Sequence, residues 1–101
     1  MGVNAVLETR DGEVLSRVDD ESGILAKVLP EGAFARYPLL GCVDRYGDTV
    51  FNGLQAVHVL AEITMLSNGL PQAEVAVLGA VRDLAVRCEA GPHLYLRFEG
   101  D

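Results

Sequence analysis

The hydrophobic positions change period along the chain. Near the start they alternate: Val3, Ala5 and Leu7 share one side of an extended chain, and Asn4, Val6 and Glu8 share the other. A second extended run, residues 13–18, reads Glu-Val-Leu-Ser-Arg-Val. Asp11-Gly12 lies between the two runs and tolerates positive φ at both residues, so the pattern predicts a β-hairpin. The period then turns helical. Ile24, Leu25, Val28 and Leu29 form a short apolar stripe, with Asp19, Asp20 and Glu21 ahead of it and Pro30 behind. Acids favour a helix N-terminus and proline stops a helix, which bounds this element near Leu29.

Residues 30–51 follow neither period. Pro, Gly and Asp interrupt them, yet they carry Phe34, Tyr37, Leu39, Leu40, Val43, Val50 and Phe51. An irregular segment this apolar is expected to pack on the core, with Val50 and Phe51 both pointing inward. Asn52 followed by Gln55 matches a capping box, which predicts a helix from roughly Gly53 to Ser67, ended by Asn68-Gly69. Pro71 suits the first turn of another helix, running to Glu89 or Ala90 and closed by Gly91-Pro92. So short a link makes the two helices antiparallel neighbours. The tail alternates again, with Leu94, Leu96 and Phe98 opposed to Tyr95, Arg97 and Glu99, which reads as a half-buried strand joining the hairpin.

These elements predict one α+β domain over residues 1–101, in the order β-β-α-α-α-β. A small antiparallel sheet, made of the N-terminal hairpin and the C-terminal strand, is covered by a short helix and an antiparallel helix pair. The longer helices carry more apolar surface than one core needs. In the first, Leu54, Val57, Ala61 and Met65 fall on one face and Val59, Ile63 and Leu66 on nearly the opposite one, with Gln55, His58 and Glu62 between them. In the second, Val77, Val81, Leu84 and Cys88 form one stripe, and Val75, Leu78, Ala85 and Val86 a broken second one. Asp83 and Arg87 are spaced for an exposed i,i+4 pair. Either a partner covers the surplus, a second copy of the chain included, or residues 30–51 do.

Charge narrows the functional classes. The 101 residues hold 15 acids against 8 lysines and arginines, a formal charge of −7. Nucleic acids and anionic membranes are bound through Lys and Arg, so neither is expected as a partner. Such a surface steers the chain toward basic partners. The N-terminus shows no basic, apolar signal pattern, position 6 lacks the Ser or Thr of a myristoylation motif, and no apolar run approaches the ~18 residues of a membrane span. A cytoplasmic protein is expected, with Cys42 and Cys88 as two buried, reduced thiols.

The candidate chemistry is sparse. Asp44, Tyr46, Asp48 and Thr49 place several oxygens in one short stretch, but Gln55 stands where a calcium loop needs Glu, and Tyr46 where it needs an acid. The plainer reading is a turn that Asp44 opens, in which Gly47 takes an awkward angle and Asp48 accepts from backbone amides. His58 and Glu62 lie four apart on a helix, the spacing of a general-base pair, but the metalloprotease pattern H-E-x-x-H is absent. The plainer reading there is a solvated polar stripe. His93, after Pro92, reads as a strand-edge residue rather than a ligand. Nothing brings a histidine to Cys42, and neither a nucleophile elbow nor a phosphate loop is present. No cofactor or metal is expected. If the chain were an enzyme, its site would lie among Asp44, Tyr46, Asp48, His58 and Glu62.

The stretch Tyr37-Pro-Leu-Leu-Gly-Cys-Val-Asp-Arg-Tyr-Gly-Asp-Thr-Val-Phe-Asn-Gly-Leu-Gln55 and the tail His93-Leu-Tyr-Leu-Arg-Phe-Glu-Gly-Asp101 resemble a group of small, uncharacterised bacterial proteins of high-GC genomes. In that group a Pro-Leu-Leu segment leads into Asp-x-Tyr-Gly-Asp-Thr-Val-Phe-Asn and then Leu-Gln, and the chain ends with His-Leu-Tyr-Leu. The resemblance implies no activity and no catalytic residues. The leading expectation is a small acidic protein that binds another protein, as an immunity-type partner or an accessory or regulatory subunit. The alternatives are a small enzyme or ligand-binding domain around Asp44, Asp48 and His58, and a structural homodimer.

Overall fold

A computed structural model describes residues 2–101. Strands β1 (Asn4–Thr9) and β2 (Val14–Val18) form the expected hairpin, with Gly12 at φ 89° in its turn. The tail is strand β4 (Leu94–Glu99), antiparallel to β1 with Leu7 opposite Leu96 and Ala5 opposite Phe98. A fourth strand, β3 (Asp48–Asn52), pairs antiparallel with β4, giving the order β2-β1-β4-β3. Helices α1 (Ile24–Val28), α2 (Gly53–Ser67) and α3 (Gln72–Ala90) lie on one face. The α+β two-layer domain is as the pattern predicts.

β3 corrects the reading of residues 30–51 as irregular throughout. Its Thr-Val-Phe centre is strand-prone, and β4, already bonded to β1 on one side, would otherwise present an open edge on the other. Strand geometry also corrects the expectation that Val50 and Phe51 both point inward. Neighbours on a strand face opposite ways, so Phe51 is 4 % exposed and Val50 is 50 % exposed.

The core lies between sheet and helices. Ala5, Leu7, Phe51, Leu96 and Phe98 come from the strands, Ala56, Val59 and Ile63 from α2, and Leu78, Val81, Leu84, Ala85 and Cys88 from α3. Phe51 and Phe98 meet edge to face, centroids 6.0 Å apart, a favoured aromatic geometry. α3 runs over β1 and β4, α2 over β3 and β4, and α1 packs on α3. Gly53 allows the start of α2 to approach the end of α3: a Cβ there would lie 3.2 Å from the Cys88 carbonyl oxygen. Tyr37, Leu40 and Val43 are buried, so the irregular segment does pack on the core. No helix among the described residues is long and apolar enough to cross a membrane.

Candidate functional site

The five sequence candidates do not converge. No hydrogen bond joins the side chain of any one of them to that of another. The Asp44 carboxylate accepts from the Tyr46 amide at 2.8 Å, and the Asp44 amide donates to Thr49 Oγ1 at 3.0 Å. Asp44 opens a turn as expected, but Gly47 is not among the glycines with positive φ, so the awkward angle expected there is absent. Tyr46 projects into solvent. Asp48 departs from the turn reading: it opens β3, and its carboxylate faces Arg97 at 3.5 Å rather than backbone amides. His58 is exposed on α2.

Glu62 corrects the solvated-stripe reading. It is 5 % exposed, and its carboxylate accepts from the Leu40 amide at 2.8 Å and from the Leu39 amide at 3.1 and 3.2 Å. These amides open the 3₁₀ turn Leu40–Cys42 and have no helical acceptor of their own. Glu62 ties that turn to α2 and is unavailable to His58 as a base partner. The sequence could not show this, because the amides lie more than twenty residues upstream.

Asp20 is a second buried carboxylate that sequence reasoning placed only as one of several helix-favouring acids. It accepts from Val3 N at 3.0 Å and from Leu25 N and Ala26 N at 2.9 Å each. One side chain thus satisfies the first amides of α1 and anchors them to the start of β1. Its signal was the acidic run immediately ahead of an apolar helix.

The face of the sheet away from the helices carries a charged lattice. Arg97, at its centre, bonds Glu8 at 3.0 Å and Glu99 at 2.7 Å and approaches Asp48. Arg17 bonds Glu99 at 3.0 Å and Asp19 at 2.8 Å. Val6 lies opposite both arginines in the ladder and is fully buried although it faces away from the helices. The arginine stems account for this, since long basic side chains cover apolar surface while their heads stay wet. Hydrogen bonds from Arg97 and Asn4, and the Arg17 guanidinium, hold the Glu99 carboxyl down at about 2. The same carboxylates raise Arg97 and Arg17. Four acids surround two arginines, so the face keeps a negative surplus.

Neither thiol forms a disulfide. Cys88 is buried as expected, and burial pushes its pKa up. Cys42 is exposed, which corrects the expectation of two buried thiols. Asp83 and Arg87 are both exposed on α3 and no ion pair joins them among the described residues. No group of three or more His, Cys, Asp or Glu among those residues is placed to hold a metal ion.

What the surface does offer is apolar. The outward side of α2 presents Leu54, 83 % exposed, with Val57 and Ala61 also exposed, and Val86 lies open on α3. At the start of α2 this face borders a cleft of about 390 Å³, lined by Asn52, Leu54, Val57, Glu89, His93 and Tyr95. His93 adopts φ 56°, a left-handed conformation uncommon outside glycine, which turns the chain from the end of α3 into β4. Of the two coverings expected for the surplus apolar surface, residues 30–51 supply one only in part: they meet α2 at Glu62 and leave Leu54 and Val57 bare. Comparison of the chain with family models, characterised proteins and solved structures gives no match.

Proposed function

We propose that this protein works by binding another protein, as an accessory, regulatory or immunity-type subunit, and not by catalysis. The observation that carries the reading is the outward face of α2. A leucine 83 % exposed beside exposed Val57 and Ala61 is a contiguous apolar surface on a helix whose other side already serves the core. A free monomer gains nothing from such a surface, whereas a partner that covers it removes apolar area from water at about 25 cal/mol per Å². The formal charge of −7 favours a basic partner and disfavours nucleic acid. The reading places the protein in the cytoplasm. Self-association through the same face is the competing form, and the chain's own charge opposes it.

The test is site-specific photocrosslinking in the native cell, with the probe at position 54 and, as control, at Ala73, exposed at the other end of the helix pair. The reading expects a discrete heteromeric adduct from position 54, lost when Val57 is changed to Lys, and none from position 73. An adduct of twice the chain's own mass would establish the homodimer instead. No adduct from position 54 would remove the protein-binding reading.

A further inference from the structure

The β3 edge of the sheet pairs with no further strand. β3 is the last strand in the order β2-β1-β4-β3, so one side of its backbone has no neighbour. Two bonds fix which residues face that side. Gly100 N donates to Gly47 O at 2.8 Å, which makes Gly47 and Gly100 a hydrogen-bonded pair of the antiparallel ladder. Such pairs alternate along a ladder, so Thr49 and Phe51 bond to β4, while Asp48, Val50 and Asn52 turn their N–H and C=O groups outward. The second bond agrees: Asn52 N donates to the Gln55 side chain at 2.9 Å, away from β4. Asn52 is therefore committed to capping α2. Asp48 and Val50 are left with both backbone groups open, and both side chains are exposed.

We infer that β3 binds an extended, basic segment of a partner protein by antiparallel strand addition, with bonds to the backbones of Asp48 and Val50. This rests on the protein-binding reading above and names the kind of segment bound. Each open residue offers one donor and one acceptor, so the incoming strand finds four backbone bonds. Side chains set its character. On the outer face of the sheet the residue opposite Val50 meets an exposed valine, and the one opposite Asp48 meets a carboxylate on the margin of the lattice of Glu8, Glu99 and Asp19 around Arg97 and Arg17. An apolar residue followed two places later by Lys or Arg fits both, since cross-strand partners stabilise by contact and by opposite charge. Leu54 follows two residues after the end of β3, in the first turn of α2.

A second copy of this chain fits the edge less well. Pairing two β3 strands about Val50 calls on Asn52, whose N–H is already given to Gln55. Pairing them about Thr49 sets each Asp48 carboxylate against a valine and joins two chains of charge −7. A basic strand meets neither obstacle. Edge strands left open are ordinarily protected by charge, proline or covering structure, and Asp48 supplies a single acid toward one end.

The test uses the full chain as bait for a phage-displayed library of random twelve-residue peptides, with selected sequences re-made and titrated against variants. The inference expects enriched peptides of net positive charge with apolar and basic residues two apart. Their affinity should fall at least about tenfold in Val50→Pro, which removes an outward N–H without touching the ladder to β4. It should fall about three- to tenfold in Asp48→Asn, where the deficit should shrink as salt is raised. Circular dichroism and the melting temperature of each variant separate lost binding from lost folding, and Asp48→Asn, an exposed change, serves if Val50→Pro unfolds. Acidic winners, an empty selection, or winners indifferent to both variants would overturn the inference. Helical winners that depend on Leu54 would also overturn it while leaving the protein-binding reading intact.

Discussion

Removing the Glu62 carboxylate should unfasten the irregular segment from α2, and the size of the effect follows from the atoms involved. Glu62→Ala leaves the Leu40 amide buried with no acceptor and the Leu39 amide partly so. A buried donor without a partner costs about 1–3 kcal/mol, and the half-buried one sits at the low end of that range because water reaches it. Alanine's better helix propensity returns only a few tenths of a kcal/mol. The expected loss is about 2–4 kcal/mol, a large part of the ~5–15 kcal/mol of a domain this size. Glu62→Gln keeps one oxygen for the Leu40 amide and gives up the charge assistance, so it should lose about 1–1.5 kcal/mol. Urea unfolding followed by circular dichroism reads both. With a slope of about 1–1.5 kcal/mol/M, Glu62→Ala should lower the midpoint by roughly 2 M. A Glu62→Ala variant within about 0.5 kcal/mol of wild type would show that the carboxylate does not hold the turn, and so would equal losses in the two variants. Either result would return Glu62 to the pool of candidate functional groups.

Three further outcomes follow from the same structure. The Glu99 carboxyl is held below its ordinary value near 4.5, at about 2, so its contribution to stability is complete above about pH 5 and is lost as the pH falls toward 2. Glu99→Gln should therefore lose about 1 kcal/mol at pH 7, after allowance for screening at a partly exposed site, and show a shallower loss of stability between pH 5 and 2; parallel acid titrations by fluorescence or circular dichroism check this. Gly100→Ala should destabilise by about 1–3 kcal/mol in thermal unfolding, because a Cβ there would lie 2.6 Å from Asp44 O, Arg45 C and Gly47 N, all backbone atoms. In the native protein a thiol reagent should label Cys42 promptly and Cys88 only on unfolding, as peptide mapping of the labelled chain would show.

How far the sequence reaches depends on whether a signal is local. The capping box was legible because both halves lie within four residues: Asn52 accepts from Gln55 N, and Gln55 accepts from Asn52 N, each at 2.9 Å. The alternation of β4 was legible because Leu96 and Phe98 face a core while Arg97 and Glu99 face water. β3 was not, since five residues carry little periodic information and the strand exists to fill the edge of β4, a partner more than forty residues away. Val50 faces outward despite its hydrophobicity because strand parity decides its side once Phe51 is buried. His58 and Glu62 share a helix spacing and nothing else: one is in solvent, the other holds amides of a distant turn. The surplus on α2 was visible in sequence as a second apolar face. Which half of it stays bare depends on where residues 30–51 cross the helix.

On the proposed function the apolar face of α2 serves a partner and not the fold. The most direct measurement pairs stability with binding in one variant, Leu54→Lys with Val57→Lys. The expected melting temperature lies within about 4 °C of wild type, because two exposed positions away from the core contribute within ~0.5 kcal/mol each, and the adduct formed from a photocrosslinking probe at Ala61 on the same face is lost. A variant that unfolds by more than about 2 kcal/mol, or one that keeps the same adduct at full yield, would contradict that proposal.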